Sequence, residues 1–259
     1  MERVRPYEAE YLYKYRSMTS QSLERIFTNN EIFLSDPTAF NDPFECRPLL
    51  LTHNSPLKRK RFIESIVKHR FPNYSKHEIK KIAKKNKIAK NFISKPFIEE
   101  TYRRFIKDVG VYCLSEIPDD ILMWAHYSDC HKGICIKFKA DLEFSLFWES
   151  LKVTYQDSYA SVNVMAMNES SQFFNALATK SSHWKYEQER RIVKLLAEGG
   201  PGYHKFSPSL LSGVILGALI SKMDEDIVRA WLSKYPVPVQ IYKATLNNTS
   251  YKLDIAAVS

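Results

Sequence analysis

The segment WKYEQERRIV, Trp184 to Val193, places Glu187, Glu189 and Arg191 at alternate positions directly before an apolar run. In a strand, a spacing of two puts these side chains on one face, where burying them is costly unless they are paired or used. In a helix, Glu187 and Arg191 would form an ordinary surface pair. Alone, the segment fits the helical alternative better. The motifs around it favour a strand whose charged face lines a functional site.

The size and composition of the chain suit one large domain or two small ones with a substantial core, and we predict a single domain over residues 1–259. The chain has only seven glycines, and their spacing matches neither a Walker loop nor a dinucleotide fingerprint. A signal peptide pattern and an 18-residue apolar stretch are both missing, so we expect a cytoplasmic location and no contact with membranes.

The four cysteines form no C-x-x-C pair, and we expect reduced thiols. Two of them, Cys130 and Cys135, lie close in sequence to His126 and His131, which raises the possibility of zinc. Cys135, however, falls in an apolar stretch that is typical of a buried strand. We therefore predict no metal site.

Positive charge is concentrated in residues 58–107, which contain 17 Lys/Arg and four Asp/Glu, a balance of +13 in a chain of net charge +9. Apolar residues recur there at helical spacing, so the pattern predicts two or three amphipathic helices that form an insertion over 54–109. One interpretation is a solvated face that maintains solubility. The other is a surface for nucleic acid or another polyanion.

Elsewhere, periodicity and turn residues predict an α+β fold with a mostly antiparallel sheet of about seven strands. The predicted strands are 11–16, 31–35, 111–115, 133–138, 151–155, 212–217, 237–244 and 251–255, in addition to the charged segment. The predicted helices outside the insertion are 20–29, 119–127, 161–180 and 223–234.

Six motifs in this order resemble those of a large, mostly bacterial family of domains of unknown function, often encoded near defence and mobile-element genes. They are LYKYR (12–16), FNDPFE (40–45), YCLSE (112–116), MWAHY (123–127), HKGICIKF (131–138) and W-x-x-E-x-E-x-R (184–191). The likeness spans roughly residues 11–255, without a motif in 58–107. That family remotely resembles the ADP-ribosyltransferase-like fold, especially the DNA-targeting ADP-ribosyltransferase toxins.

The resemblance implies a split β-sheet with flanking helices, and NAD as a substrate. Glu189, with Glu187 two residues before it, is similar to the E-x-E of the late catalytic strand. Breaking the nicotinamide–ribose bond passes through a cationic state, which Glu189 would stabilise. Glu187 would orient or deprotonate the acceptor.

The resemblance also implies residues that bind NAD. Arg16 is similar to the polar first-strand residue, and Arg16 or Arg191 would hold the pyrophosphate. Ser115 is similar to the hydroxyl residue under the nicotinamide. Candidates for covering the nicotinamide ring are Tyr15, Trp124 and Tyr127. Ser35, Asn41 and Asp42 would border the cleft.

The chain departs from the pattern in two ways. It has Lys-Tyr-Arg where the DNA-modifying members have His-Tyr-Thr, and no aromatic residue securely matches the one that covers nicotinamide. Structural alternatives stay open: an ion pair of the motif charges, an Asx turn at 41–43, and a core position for Met123 and Trp124.

The expected function is that of an NAD-dependent ADP-ribosyltransferase-like toxin or antiphage effector that modifies nucleic acid or an associated protein. A neutralising or sensor protein would be a further partner. The alternatives are a non-catalytic module that binds nucleic acid or a partner, and a metal-dependent nuclease built on Glu187, Glu189 and Asp42.

Overall fold

The computed structural model describes residues 9–52, 55–85, 94–140, 145–164 and 170–258. The strands are β1 (Tyr11–Arg16), β2 (Glu31–Leu34), β3 (Leu49–Leu51), β4 (Gly110–Ser115), β5 (Ile134–Lys139), β6 (Leu151–Lys152), β7 (Thr154–Gln156), β8 (Ser161–Asn163), β9 (Thr179–Ser181), β10 (Glu189–Lys194), β11 (Gly202–Lys205), β12 (Leu211–Leu216), β13 (Gln240–Leu246) and β14 (Leu253–Val258). The α-helices are α1 (Leu23–Thr28), α2 (Pro56–Arg70), α3 (Lys76–Lys84), α4 (Lys95–Lys107), α5 (Ile121–Tyr127), α6 (Ser170–Leu177) and α7 (Lys222–Ser233).

Eight strands form the main sheet, in the order β14-β13-β12-β5-β1-β4-β10-β6. Neighbouring strands are antiparallel except β12 and β13. β1 pairs with β5 along its whole length, but it pairs with β4 only at Tyr13 and Ser115. The sheet therefore splits between β1 and β4. The predicted class, α+β with a mostly antiparallel split sheet, is confirmed.

Apolar residues cover both faces of the sheet, which explains why the buried residues of β5 are apolar on both faces. Its residues Ile134, Ile136 and Phe138 belong to the core cluster that contains the buried residues of α1 and α7. Cys135, between them, packs in a second cluster with Tyr15 and Trp124. A cysteine in this place is a small core residue, whereas Cys130 is exposed.

The basic segment contains helices, as predicted: α2, α3 and α4 all lie within 54–109. α2 packs on α3 in a small core of its own, through residues that include Val67 and Ile79. α4 packs on the main body, where the Tyr102 hydroxyl donates a hydrogen bond of 2.8 Å to the Cys46 carbonyl. Two further apolar residues of the predicted helical pattern in this segment, Ile88 and Phe92, lie outside the described residues.

The helix predicted over 161–180 is wrong at both ends. Residues 161–163 form β8, which pairs with β3, and residues 179–181 form β9, which pairs with β7. Only α6 lies between them in the described part. Pairing with strands distant in sequence overrides the helical pattern at these positions. β3 and β11 were not predicted. Among the helices described, none is long and apolar enough to cross a membrane.

The ring of Phe147 provides a test of the core. It is fully buried and stacks on Phe138 with ring centroids 4.2 Å apart. We expect Phe147→Ala to lower the free energy of unfolding by about 3–5 kcal/mol, measured by urea denaturation. Phe44→Ala is the matched control, since Phe44 is 63% exposed, and it should change the value by less than about 0.5 kcal/mol. Equal effects would contradict this description of the core.

Candidate functional site

A cavity of about 350 Å³ lies where β1 and β4 diverge. Both halves of the split sheet line it, with Arg16 from the β1 half and Ser115 from the β4 half. Eight of the residues predicted from sequence line this cavity: Tyr15, Arg16, Ser35, Asn41, Ser115, Tyr127, Glu187 and Glu189. The split thus brings together residues that are up to 174 positions apart in the sequence.

The two glutamates reach the cavity from different local structures, which corrects the prediction that one strand carries both. Residues Ser182–Glu187 form a 3-10 helix, and Glu189 begins β10. Gln188 between them has a left-handed backbone, with φ of 44°. The Ser115 hydroxyl fixes this turn by donating a 2.7 Å hydrogen bond to the Glu187 carbonyl. Glu189 and Arg191 do share a strand face, as predicted.

Five buried charges form one cluster beside the cavity: Glu45, Lys180, Glu187, Glu189 and Arg191, each with a side chain no more than 5% exposed. The Lys180 Nζ lies 3.0 Å from Glu45, 2.5 Å from Glu187 and 3.2 Å from Glu189. The Arg191 guanidinium binds Glu189 through two nitrogens, at 2.7 and 3.0 Å, and also pairs with Glu45. We call this group the buried charge cluster.

The cluster pushes the pKa values of its two cavity-lining acids in opposite directions. Burial alone would raise the pKa of Glu189, but the Arg191 guanidinium and the Lys180 ammonium outweigh it and hold that pKa well below its ordinary value. Burial raises the pKa of Glu187, and attraction to Lys180 does not cancel the rise. Burial would also lower the pKa of Lys180, yet the carboxylates around it keep that pKa above its ordinary value. Glu189 is therefore the permanently ionised acid, and Glu187 is the one that titrates.

Two tyrosines hold the acids in place. The Tyr127 hydroxyl donates a hydrogen bond of 2.6 Å to Glu187 Oε1. Burial and the Glu187 charge raise the pKa of Tyr127, so its hydroxyl stays protonated and remains a donor. The backbone N–H of Glu189 donates a 2.8 Å hydrogen bond to the Tyr155 hydroxyl.

Two cations from β1 face the same cavity. Lys14 donates a 2.6 Å hydrogen bond to the Cys113 carbonyl and lies 4.6 Å from the centre of the Tyr112 ring. Burial and the neighbouring Arg16 lower the pKa of Lys14 to about 8. The Nε of Arg16 is buried and has no hydrogen-bond partner among the described residues. This guanidinium therefore retains donor capacity toward a ligand.

Three predicted residues do not line the cavity, and two of their assignments are corrected. Trp124 is fully buried and donates to the Pro118 carbonyl, so it cannot cover a ligand ring. Arg191 is fully buried in the cluster, so it cannot reach a pyrophosphate. Asp42 accepts hydrogen bonds from the Phe44 N–H at 2.9 Å and from the Trp184 indole at 2.8 Å. The Asx-turn alternative for residues 41–43 therefore fits the structure.

Sequence reasoning missed Lys180, Lys14 and the role of Glu45. Glu45 and Lys14 lie inside the motifs FNDPFE and LYKYR, but no charge pairing was assigned to them. Lys180 belongs to no motif. A charge balance could have indicated it, because three acids buried with one arginine require a further cation.

The described residues include no group of His, Cys, Asp or Glu side chains arranged to hold a metal ion. Three carboxylates do converge in the buried charge cluster, but the Lys180 ammonium occupies the space between them. A nuclease metal held by Glu187, Glu189 and Asp42 would have to displace that ammonium. Asp42 is in addition bonded to Trp184.

Comparison with known proteins gives one match. The model of a family described as "Protein of unknown function (DUF2971)" matches residues 123–192. No curated protein and no solved structure matches the chain. The matched segment contains Tyr127 and every member of the buried charge cluster except Glu45.

Replacing Lys180 tests the cluster. We expect Lys180→Met to lower the free energy of unfolding by about 3–5 kcal/mol, because it leaves buried carboxylates without their cation. Lys180→Arg, which retains the charge, should lower the free energy of unfolding by less. Both values come from urea denaturation.

The loss should also depend on pH. An acid whose pKa is raised by folding binds its proton more readily in the folded state, so stability falls as pH rises through the window between its unfolded and folded pKa values. Without Lys180, that window for Glu187 extends to higher pH. The loss of unfolding free energy in Lys180→Met, relative to the wild type, should therefore be smaller at pH 5 than at pH 8. A deficit independent of pH would argue against Glu187 as the titrating acid.

Proposed function

We propose that the chain is an NAD-dependent ADP-ribosyltransferase-like enzyme. The observation that carries the proposal is a pair of acids with opposite pKa shifts, Glu189 and Glu187, lining a cavity in a split antiparallel sheet. The cations of β1 line the same cavity. The motif resemblance implies these two acids and Arg16 at one site, with the difference that Glu187 here lies in the 3-10 helix before the strand.

The two acids are suited to different steps. Glu189 stays ionised, so its carboxylate can stabilise the positive charge that develops on the ribose as nicotinamide leaves. Glu187 has a raised pKa, so it can accept the proton of an acceptor nucleophile and later release it. The Tyr127 hydroxyl orients Glu187 through its hydrogen bond.

The dimensions of the cavity fit part of NAD. At about 350 Å³ it is near the lower limit for ligand cavities, so it would enclose the nicotinamide and its ribose rather than the whole dinucleotide. Tyr15 and Tyr127 are the cavity-lining candidates for contact with the nicotinamide ring. Arg16 would bind the pyrophosphate, since its Nε has no hydrogen-bond partner among the described residues.

The acceptor in this proposal is nucleic acid, or a protein bound to it, held through the basic segment 58–107. Lysines 80, 81, 84 and 85 are all exposed on or next to α3, which supports a polyanion surface there. The resemblance to a family encoded near defence genes adds a biological role. The protein would act in the cytoplasm as a toxin or antiphage effector, regulated by a neutralising or sensor partner.

The Glu189→Gln variant tests the reaction. We expect it to slow nicotinamide release from NAD by about 10²–10³-fold, because a neutral amide cannot stabilise the cationic transition state. The assay follows nicotinamide release and label transfer from NAD into a mixture of nucleic acid and protein. Glu24→Gln, on the exposed face of α1, is the matched control.

Urea denaturation of each variant distinguishes a loss of activity from a loss of folding. Glu187→Gln is a second variant of the site, measured in the same way. Full activity of a folded Glu189→Gln protein would refute the assignment. Cleavage of nucleic acid that requires Mg²⁺ would favour the nuclease, and nucleic-acid binding without NAD turnover would favour the non-catalytic module.

Salt dependence tests the basic segment. Changing lysines 80, 81, 84 and 85 to glutamine should reduce the slope of log affinity against log salt by up to about 0.7–0.9 for each phosphate that these lysines neutralise. Fluorescence anisotropy with a labelled nucleic-acid pool measures the slope. The matched control variant removes the same number of positive charges elsewhere on the protein, by glutamine substitutions at Lys205, Lys222, Lys234 and Lys252. Equal slopes in the two variants would assign no special role to α3.

A further inference from the structure

Glu45 lies in a turn of the FNDPFE motif, and its two carboxylate oxygens bind different cations. Oε1 lies 3.0 Å from the Lys180 Nζ, and Oε2 pairs with the Arg191 guanidinium. We propose that Glu45 is a positioning residue, which acts through these two cations so that Glu187 is the acid of the cluster that binds and releases a proton. The effect on Glu187 depends only on the charges of the cluster. Its use in a reaction rests on the proposed function.

The buried charge cluster contains two cations and three acids, and this count leaves one acid without a charge to balance it. With Glu187 protonated, Lys180 and Arg191 balance Glu45 and Glu189. Ionisation of Glu187 adds a negative charge in a buried place, which is costly because no cation compensates it. Without Glu45 the balance reverses, since the cluster would have one positive charge with Glu187 protonated and none with Glu187 ionised. Glu45 therefore favours the protonated form of Glu187.

The contacts of the three acids explain why the proton is on Glu187 and not on another member. Glu45 contacts both Lys180 and Arg191, and so does Glu189. Among the described residues, Glu187 contacts only the Lys180 ammonium, at 2.5 Å. An acid with fewer cations beside it loses its proton less readily. When interacting acids share too few cations, the proton is therefore held mainly by the one with the weakest attraction, which here is Glu187.

Titratable groups outside the cluster also surround Glu187. Those on the elements packed around it are Lys14 of β1, His126 and Tyr127 of α5, Tyr155 of β7 and Tyr186 of the same 3-10 helix. Burial raises the pKa of each tyrosine, so all three stay protonated near neutral pH. Lys14 has a pKa of about 8, so measurements below pH 7 keep it charged. A His126→Gln variant shows how much of any change arises from that imidazole.

The Glu45→Gln variant tests the inference without NAD. Carbon-13 NMR follows the side-chain carboxyl of Glu187 between pH 4 and pH 7, and the Glu187→Gln protein assigns its signal. We expect Glu187 to titrate at lower pH in Glu45→Gln than in the wild type, because its ionised form then balances the two cations. Glu149→Gln is the matched control, since Glu149 pairs at 2.6 Å with Lys194 at the other end of β10. It should leave the titration of Glu187 unchanged.

Two further variants distinguish the charge of Glu45 from its packing. Glu45→Asp retains the charge, so Glu187 should titrate nearer to its wild-type pH than in Glu45→Gln. The double variant Glu45→Gln with Lys180→Met removes one charge of each sign. Its Glu187 should titrate at higher pH than in Glu45→Gln alone, and at lower pH than in Lys180→Met alone. The second comparison provides the test if Glu45→Gln by itself does not fold.

Unchanged titration of Glu187 in a folded Glu45→Gln protein would overturn the inference. An equal change in Glu45→Asp would also overturn it, because the effect would then arise from packing and not from charge. Urea denaturation of each variant verifies folding.

The pH dependence of NAD turnover tests the role of Glu45 in the reaction. A general base works in its ionised form, so activity should rise with pH as Glu187 loses its proton. In Glu45→Gln this rise should begin at lower pH than in the wild type. A rate lowered by the same factor at every pH would show a merely structural role and overturn the inference. The expected NMR shift in a protein that does not turn over NAD would support the charge effect and refute the proposed function.

Discussion

The contact on which the rest of the site depends is that of the Lys180 ammonium with Glu45, Glu187 and Glu189. Removing charges from water is costly, and such a cluster persists only when each charge is paired and hydrogen-bonded. The five charged residues of the cluster come from four parts of the chain: the 40–45 motif, β9, the 3-10 helix before Gln188, and β10. Pairing therefore connects the loop that carries Glu45 to the sheet, and it places two acids at the cavity with different protonation behaviour.

The split sheet creates the space for this cavity, and one side chain and one backbone segment bond the polar backbone groups of β4 that β1 does not pair. Along β4, the Cys113 carbonyl accepts a hydrogen bond from Lys14 instead of from a backbone N–H of β1. The backbone of Ser35 exchanges two hydrogen bonds with Val111 at the other end of the strand. Ser35, predicted as a cleft residue, thus also has a structural role. Buried backbone groups need partners, so these two contacts allow the strands to separate.

The sequence predicted most of the strands because their apolar and polar residues alternate, or are mainly apolar, over five or six positions, as in β5 and β12. The motif resemblance singled out Glu187 and Glu189, which line the cavity, and the spacing of two predicted the strand face that Glu189 shares with Arg191. A charge balance indicates only that a further cation is needed, and it does not identify Lys180, whose partners are set by how β9 pairs with β7. The false helix over 161–180 has a similar cause, because β8 and β9 are three-residue strands whose partners lie far away in sequence. The left-handed turn at Gln188, which separates the two acids structurally, had no glycine or asparagine to indicate it.

The charges around the cavity match the charge distribution of the proposed substrate. When Glu187 is ionised, the three carboxylates of the buried charge cluster outnumber Lys180 and Arg191, which leaves negative charge in the half of the sheet that contains β4 and β10. Lys14 and Arg16 belong to the other half. NAD has the same polarity along its length, with a cationic nicotinamide ring and an anionic pyrophosphate. A ligand oriented this way would place its positive ring near Glu189 and Glu187 and its phosphates near β1. The cluster that stabilises the loop would then also orient the substrate, since both effects arise from the same charges.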